Sequence, residues 1–330
     1  MGGMQIVATD GYTLNPGDTP WDAIAHMGRL TVYDRTAPAE LIERCREAEV
    51  LIVNKTPVRA DAIDRLPHLR YITVSATGYD CVDVVAAGRR GIPVSNVPIY
   101  GTDSVAQYVF SAVLHLCHNI SVHDAAVKEG EWSRSPDWSF WKRPLVELAG
   151  KTMGIVGFGR IGRRVGELAH AFGMRVLAHD TFQGAEPGYT PFAWSELEAL
   201  FAQSDVVSLH CPLTADNRGF VNRDLLGCMR PSAILVNAAR GPLVNEEDLA
   251  AALNGGRIAA AALDVAAVEP IRPDSALLCA RNLVITPHLA WATREARQRL
   301  MATTAENVRA FLSGTPQNVV NPADLKIAAA

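Results

Sequence analysis

At 330 residues, 48% hydrophobic and 20% charged, the chain is long enough for about two domains and too apolar to be disordered. A net charge of −4 argues against a nucleic-acid binder, and no apolar stretch is long enough to span a bilayer. The six scattered cysteines show neither C-x-x-C spacing nor a Cys/His cluster, so no metal is expected and reduced thiols in cytoplasm are.

The start, Met1-Gly-Gly-Met-Gln-Ile-Val, lacks a charged segment followed by a long apolar one, so no secretory leader is expected; the tail from Lys326 carries no recognised address. The first hundred residues alternate short apolar runs (Gln5–Ala8, Val50–Val53, Tyr71–Val74, Ile92–Val94) with helical segments near Pro38–Glu47, Ala60–Arg65 and Asp83–Arg89. That alternation predicts a parallel sheet with helices on both faces, an α/β fold. A Pro/Gly crossing at Asn96–Gly101 precedes a long helix predicted from Ser104 to about Lys128, with Thr102 or Asp103 as cap. Its apolar stripe is wider than one packing face needs, which points to burial between domains or a subunit contact. Trp132, Trp138, Phe140 and Trp141 then read as a loop whose aromatics pack back onto the protein or wall a pocket. A second α/β unit follows, with strands at Val206–Leu209, Ala233–Val236, Ala260–Leu263 and Leu283–Ile285. A long helix over Thr293–Leu312 comes after it.

The second unit opens on the chain's strongest motif. The apolar run Met153 to Val156 leads into Gly157, Gly159 and Gly162 in G-x-G-x-x-G spacing. A helical stripe follows, then a second strand, Arg175 to Ala178, ending near Asp180. This strand–turn–helix–strand context predicts a dinucleotide site. Gly157 permits the tight turn, Gly159 lets a pyrophosphate approach the backbone, and Gly162 lets helix and strand pack closely. Arg160 and Ile161 open the helix whose N–H groups face the phosphates. Asp180, 23 residues after Gly157, suits the ribose hydroxyls and would repel a 2′-phosphate, so NAD (NADH) is expected rather than NADP.

Three ionisable residues follow the later strands: Arg240, Glu269 and His288. Parallel strands would bring them to one sheet edge, where ligands of open α/β sheets bind. Reducing a ketone by hydride transfer needs a proton donor for the oxygen; an imidazole suits, and a neighbouring carboxylate stabilises its charged form. An arginine fork holds a carboxylate at two points. The set is therefore chemically complete for a 2-oxo acid. Taken singly, each has an ordinary alternative: a satisfied loop histidine, a solvated turn glutamate, a surface turn cation. Asp264 is expected either to end its strand or to accept from the nicotinamide carboxamide.

Five ordered stretches carry a resemblance: Gly150-Lys-Thr-Met-Gly-Ile-Val-Gly-Phe-Gly-Arg-Ile-Gly, His210-Cys-Pro-Leu-Thr, Val236-Asn-Ala-Ala-Arg-Gly, Ala262-Leu-Asp-Val with Glu269-Pro270, and Thr286-Pro-His-Leu-Ala. Together the chain resembles the D-isomer-specific 2-hydroxy acid dehydrogenase family. The resemblance implies catalytic roles for Arg240, Glu269 and His288. It implies cofactor contacts from His210, Cys211, Pro212, Thr214, Asn217, Ala238 and Ala239. Through Ser75-Ala-Thr-Gly-Tyr-Asp it implies substrate-carboxylate binding by Ala76, Thr77 and Gly78. Trp291 is expected to wall the pocket.

The resemblance further implies two Rossmann-like or flavodoxin-like parallel-sheet domains, the NAD-binding one (102–291) inserted into the substrate-binding one (1–101 plus 292–330), and a homodimer. Gly101-Thr-Asp-Ser-Val-Ala-Gln and Pro287-His-Leu-Ala-Trp-Ala-Thr are most similar to the glycerate dehydrogenase (hydroxypyruvate reductase) branch. Gln107 stands where many relatives carry glutamate, and Ala76 where many carry glycine. The expected partner is thus a small 2-oxo or 2-hydroxy acid. Phosphite oxidation, or a non-catalytic NAD-sensing role on the same scaffold, are the competing readings.

Overall fold

The structure is a computed structural model and describes residues 3–328; Met1-Gly2 and Ala329-Ala330, part of the start and tail where no leader or address is expected, lie outside them. The chain forms two compact units. One takes the chain up to Gly101 and resumes at Ala292; the other is Thr102–Trp291.

In the first unit five parallel strands, β1 (Gln5–Ala8), β2 (Arg29–Val32), β3 (Val50–Val53), β4 (Tyr71–Val74) and β5 (Val94–Ser95), lie in the order β2-β1-β3-β4-β5. Val50–Val53 and Tyr71–Val74 are buried on both faces, as continuous apolar runs in a covered parallel sheet must be. The helix Arg294–Leu312 packs on this sheet. It starts at Thr293, whose side chain accepts from the Ala296 N–H. Phe311 stacks on Tyr71 with ring centroids 4.4 Å apart, and buried Asn307 donates to the Asn96 carbonyl at 2.9 Å.

The second unit holds seven parallel strands: β6 (Thr152–Val156), β7 (Arg175–His179), β8 (Phe192–Trp194), β9 (Val206–Leu209), β10 (Ile234–Asn237), β11 (Ala260–Leu263) and β12 (Leu283–Ile285). Their order is β12-β11-β10-β9-β6-β7-β8. Strand order reverses at β6, which lies between β7 and β9; that is the switch point where doubly wound sheets take dinucleotides. One core packs the helix Thr102–His118 and the helix Arg160–Ala171 on one face of the sheet. A second, around Leu200, Leu226, Leu249 and Leu277, covers the other.

Three expectations need correcting. The helix expected to run to Lys128 ends at His118; Asn119 adopts φ +48 and a separate helix spans Ile120–Lys128. The wide apolar stripe of the first helix is consumed within its own unit, where Ala106, Val109, Phe110, Val113 and Cys117 are core residues. The loop tryptophans do not pack back: Trp138 is 88% exposed and Trp141 70%. Among the described residues no helix is long and apolar enough to cross a membrane.

Candidate active site

The glycine turn forms because β6 is buried throughout and its chain must reverse sharply to start a helix on the sheet face. Gly157 has φ +93, and a Cβ there would lie 2.4 Å from the Cys211 nitrogen. Gly162 has no room either, since a Cβ would sit 2.1 Å from the Gly157 oxygen. Around Gly159 a Cβ would meet no atom within 4 Å, so the backbone is open at the helix N-terminus, as the approach of a pyrophosphate requires. Asp180 follows β7. One carboxylate oxygen accepts from the Phe158 N–H in the turn at 2.6 Å, the other from the Phe182 N–H at 3.2 Å. The carboxylate is thus held beside the turn by its own neighbours, and these residues fit a dinucleotide.

The loop after β9 closes on itself. Asn217 accepts from the Thr214 N–H at 2.7 Å and donates to the Pro212 carbonyl at 2.8 Å. His210 pairs with Ser208 at 2.8 Å, and burial pushes its imidazole down to about 3, so it is neutral at any working pH. Burial likewise pushes the Cys211 thiol up to about 11 and leaves it protonated.

Because β10, β11 and β12 are neighbours in the sheet, the loops leaving their C-terminal ends are neighbours too. Ala238, Ala239 and Arg240 follow β10. Asn237, fully buried, shapes this loop by accepting from the Ala239 N–H at 3.0 Å and donating to the Arg240 carbonyl at 2.9 Å. The Arg240 guanidinium is half-buried and donates to the Ala239 carbonyl at 2.8 Å. Gly241 meets the loop after β11, where a Cβ would lie 2.0 Å from the Ala266 carbonyl.

Glu269 and His288 come together. Glu269 Oε2 lies 2.7 Å from His288 Nδ1, and Oε1 accepts from the Ala266 N–H at 3.1 Å. An ionised carboxylate only accepts, so Nδ1 carries the proton and Nε2 is the ring atom left to exchange one with substrate. His288 is held with φ +53, and its N–H donates to the Asp264 carbonyl at 2.7 Å. Asp264, expected at the nicotinamide carboxamide, is 1% exposed. Its carboxylate already accepts from the Thr286 hydroxyl at 2.6 Å and from the Leu289 and Ala290 N–H groups at 2.8 Å each. Its evident work is to hold the His288 loop.

The loop Ala76, Thr77, Gly78 belongs to the other unit, after β4. It is pinned by Val97 N–H to the Ala76 carbonyl at 3.0 Å, Thr77 hydroxyl to the Val97 carbonyl at 2.9 Å, and Asn96 to the Thr77 carbonyl at 2.8 Å. Trp291 is half-buried at the end of the second unit. Asn237 and Thr286 escaped the sequence reading as site residues. A signal existed for Asn237: a polar residue closing the apolar run Ile234-Leu235-Val236 in a buried strand must have its hydrogen bonds met nearby.

Residues 110–290 match the profile described as D-isomer specific 2-hydroxyacid dehydrogenase, NAD binding domain. The chain is 46% identical to a hydroxypyruvate reductase of Blautia hydrogenotrophica over 321 residues, covering 96% of this chain and 100% of that one. It is 41% identical to a glycerate dehydrogenase of Methylorubrum extorquens, covering 87% and 90%. Its fold is similar to that of a D-lactate dehydrogenase of Aquifex aeolicus solved with NAD and lactic acid (TM-score 0.81, 26% identity, 98% and 97% covered). With a glycine turn at the switch point and a carboxylate–imidazole pair on adjacent strand ends, the chain belongs to the D-isomer-specific 2-hydroxyacid dehydrogenase family.

Proposed function

We propose that this protein interconverts a small 2-oxo acid, of the hydroxypyruvate or glyoxylate kind, and its D-2-hydroxy acid. The observation that carries the reading is the 2.7 Å contact between His288 Nδ1 and Glu269, on loops leaving neighbouring strands of a dinucleotide-binding sheet. Bound NADH supplies the hydride. His288 gives the proton on Nε2 to the substrate oxygen as negative charge develops there, and Glu269 stabilises the imidazolium before transfer. In the reverse direction the same nitrogen takes the hydroxyl proton. Arg240 engages the substrate carboxylate with its fork. The names of the Blautia hydrogenotrophica and Methylorubrum extorquens relatives, a hydroxypyruvate reductase and a glycerate dehydrogenase, support hydroxypyruvate and D-glycerate as the pair.

Following absorbance at about 340 nm with NADH and a panel of hydroxypyruvate, glyoxylate and pyruvate tests this directly, because the signal is the cofactor's own. Turnover is expected with at least one of the first two, giving the D product. No turnover on any member, with NADH still bound, would overturn the catalytic reading in favour of a sensor.

Preference for NAD rests on Asp180. Asp180→Asn keeps an acceptor for the Phe158 N–H but removes the charge that opposes a 2′-phosphate. The ratio of NADP to NAD efficiency is expected to rise about tenfold, the worth of one charge-assisted interaction. An unchanged ratio in steady-state kinetics would mean that Asp180 does not face the ribose.

The same reading includes a homodimer in the cytoplasm. Trp138, Trp141, Ile120 (67% exposed) and Leu145 (56%) are exposed apolar side chains on the second unit, surface of the kind a second copy covers. All six cysteines are free thiols, as a reducing compartment keeps them.

A further inference from the structure

The helix Thr102–His118 carries two polar side chains that reach the catalytic loop, and neither belongs to the machinery described so far. Ser104, buried, donates to the Ala290 carbonyl at 2.6 Å. The Tyr108 hydroxyl lies 2.6 Å from Thr286 Oγ1, which lies 2.6 Å from Asp264 Oδ1. The order of donation follows from chemistry. The Asp264 carboxylate accepts from two N–H groups and the Thr286 hydroxyl, the arrangement of an ionised carboxylate, which can only accept. Thr286 has then spent its single proton on Asp264 and must accept from Tyr108. The result is a directed chain, Tyr108 O–H to Thr286 O–H to the carboxylate, ending on the groups that fix residues 288–290.

His288 needs such a device. It sits at φ +53, a conformation costly for a residue with a Cβ, and it is held there by its N–H on the Asp264 carbonyl. Its Nδ1 must also remain on Glu269 for Nε2 to be the proton-bearing atom that meets substrate. A loop free to relax from this conformation would lose that alignment, whereas buried, fully partnered polar chains hold one geometry.

We propose that Tyr108 is a positioning residue for the reaction: acting through Thr286 and Asp264, its hydroxyl holds the His288 loop in the conformation that donates the proton. This rests on the reading of His288 as the donor. The hydroxyl chain from Tyr108 ends on the loop after β12, whereas the glycine turn follows β6, so its effect is expected on the chemical step and not on cofactor capture.

The test is a set of four variants of the full chain, with His288→Ala as the control for the underlying reading. Tyr108→Phe removes one oxygen; kcat for the best 2-oxo acid is expected to fall about tenfold, the usual cost of losing a supporting partner, with KM for NADH within about twofold. The solvent deuterium isotope effect on kcat is expected to rise, because a misaligned donor makes proton transfer more rate-limiting. Thr286→Val, isosteric but without the hydroxyl, should reproduce the loss, and Thr286→Ser, which keeps it, should restore kcat to within about twofold of the parent. In Tyr108→Phe/Thr286→Val the second change should cost less than about twofold more, since both act on one chain.

Parental kcat and isotope effect in Tyr108→Phe, independent multiplication of the two losses, or a loss confined to KM for NADH would each overturn the proposal. Should Thr286→Val fail to fold, Tyr108→Phe and Thr286→Ser still decide it. Full activity of His288→Ala would instead remove the underlying reading of the site. Inactivity of His288→Ala with a silent Tyr108→Phe removes this inference alone.

Discussion

His288→Ala is expected to lower kcat by about two to four orders of magnitude, the range a positioned general acid contributes, while NADH binding is kept. The imidazole pairs with the Glu269 carboxylate at 2.7 Å through Nδ1, which leaves Nε2 as the ring nitrogen to meet substrate. Removing it leaves the developing alkoxide without a donor, but leaves the glycine turn and Asp180, on other strands, untouched. Glu269→Gln should cost less. The amide can still accept from Nδ1, but it no longer stabilises the imidazolium, and an amide flip offers the ring a competing donor. Single-turnover absorbance at about 340 nm measures the chemical step. Quenching of tryptophan emission by NADH measures binding. Parental turnover in His288→Ala would dismiss the histidine from the role. Lost NADH binding would mean that the variant had disturbed the sheet edge and not only the chemistry.

The strands that position these residues were legible because a doubly covered parallel sheet demands continuous apolar runs, and Val50–Val53 and Val206–Leu209 are such runs. The strands β2 and β8 were not legible. Both lie at sheet edges, and Arg29–Val32 is largely exposed, so it shows neither a run nor a clean alternation. The break at Asn119 was hidden for the opposite reason. Apolar residues continue through it, yet Ile120 faces water, and only the readiness of asparagine to adopt a left-handed conformation hinted at a stop. At the site, Arg240, Glu269 and His288 could be read as strand-end residues, and Gly157 and Gly162 from their spacing. Which side chains the Asp264 carboxylate would meet could not. Its partners Thr286, Leu289 and Ala290 lie more than twenty positions along the chain and reach it only through the path of the loop after β12.

Gly241→Ala is expected to be as damaging to the fold as His288→Ala is to the reaction. The added Cβ would lie 2.0 Å from the Ala266 carbonyl carbon and oxygen and 2.5 Å from the Ala267 nitrogen. Those atoms are backbone, so no rotamer change can yield; the loops after β10 and β11 must move apart. Overpacking that forces backbone shifts costs about 1–3 kcal/mol, and occasionally more. The two loops are not spare structure, since one carries Arg240 and the other gives Glu269 its second hydrogen bond, from the Ala266 N–H. Separation should therefore pull the carboxylate away from His288, lowering kcat even in the fraction that folds. Five of the six tryptophans, Trp132, Trp138, Trp141, Trp194 and Trp291, lie in the second unit, so urea titration followed by their emission reports mainly on that unit. The midpoint should fall, and activity per folded molecule should fall with it. A parental midpoint would show that the loops after β10 and β11 have slack to admit a methyl group. The close approach that orders Arg240 and Glu269 would then not be what fixes the site.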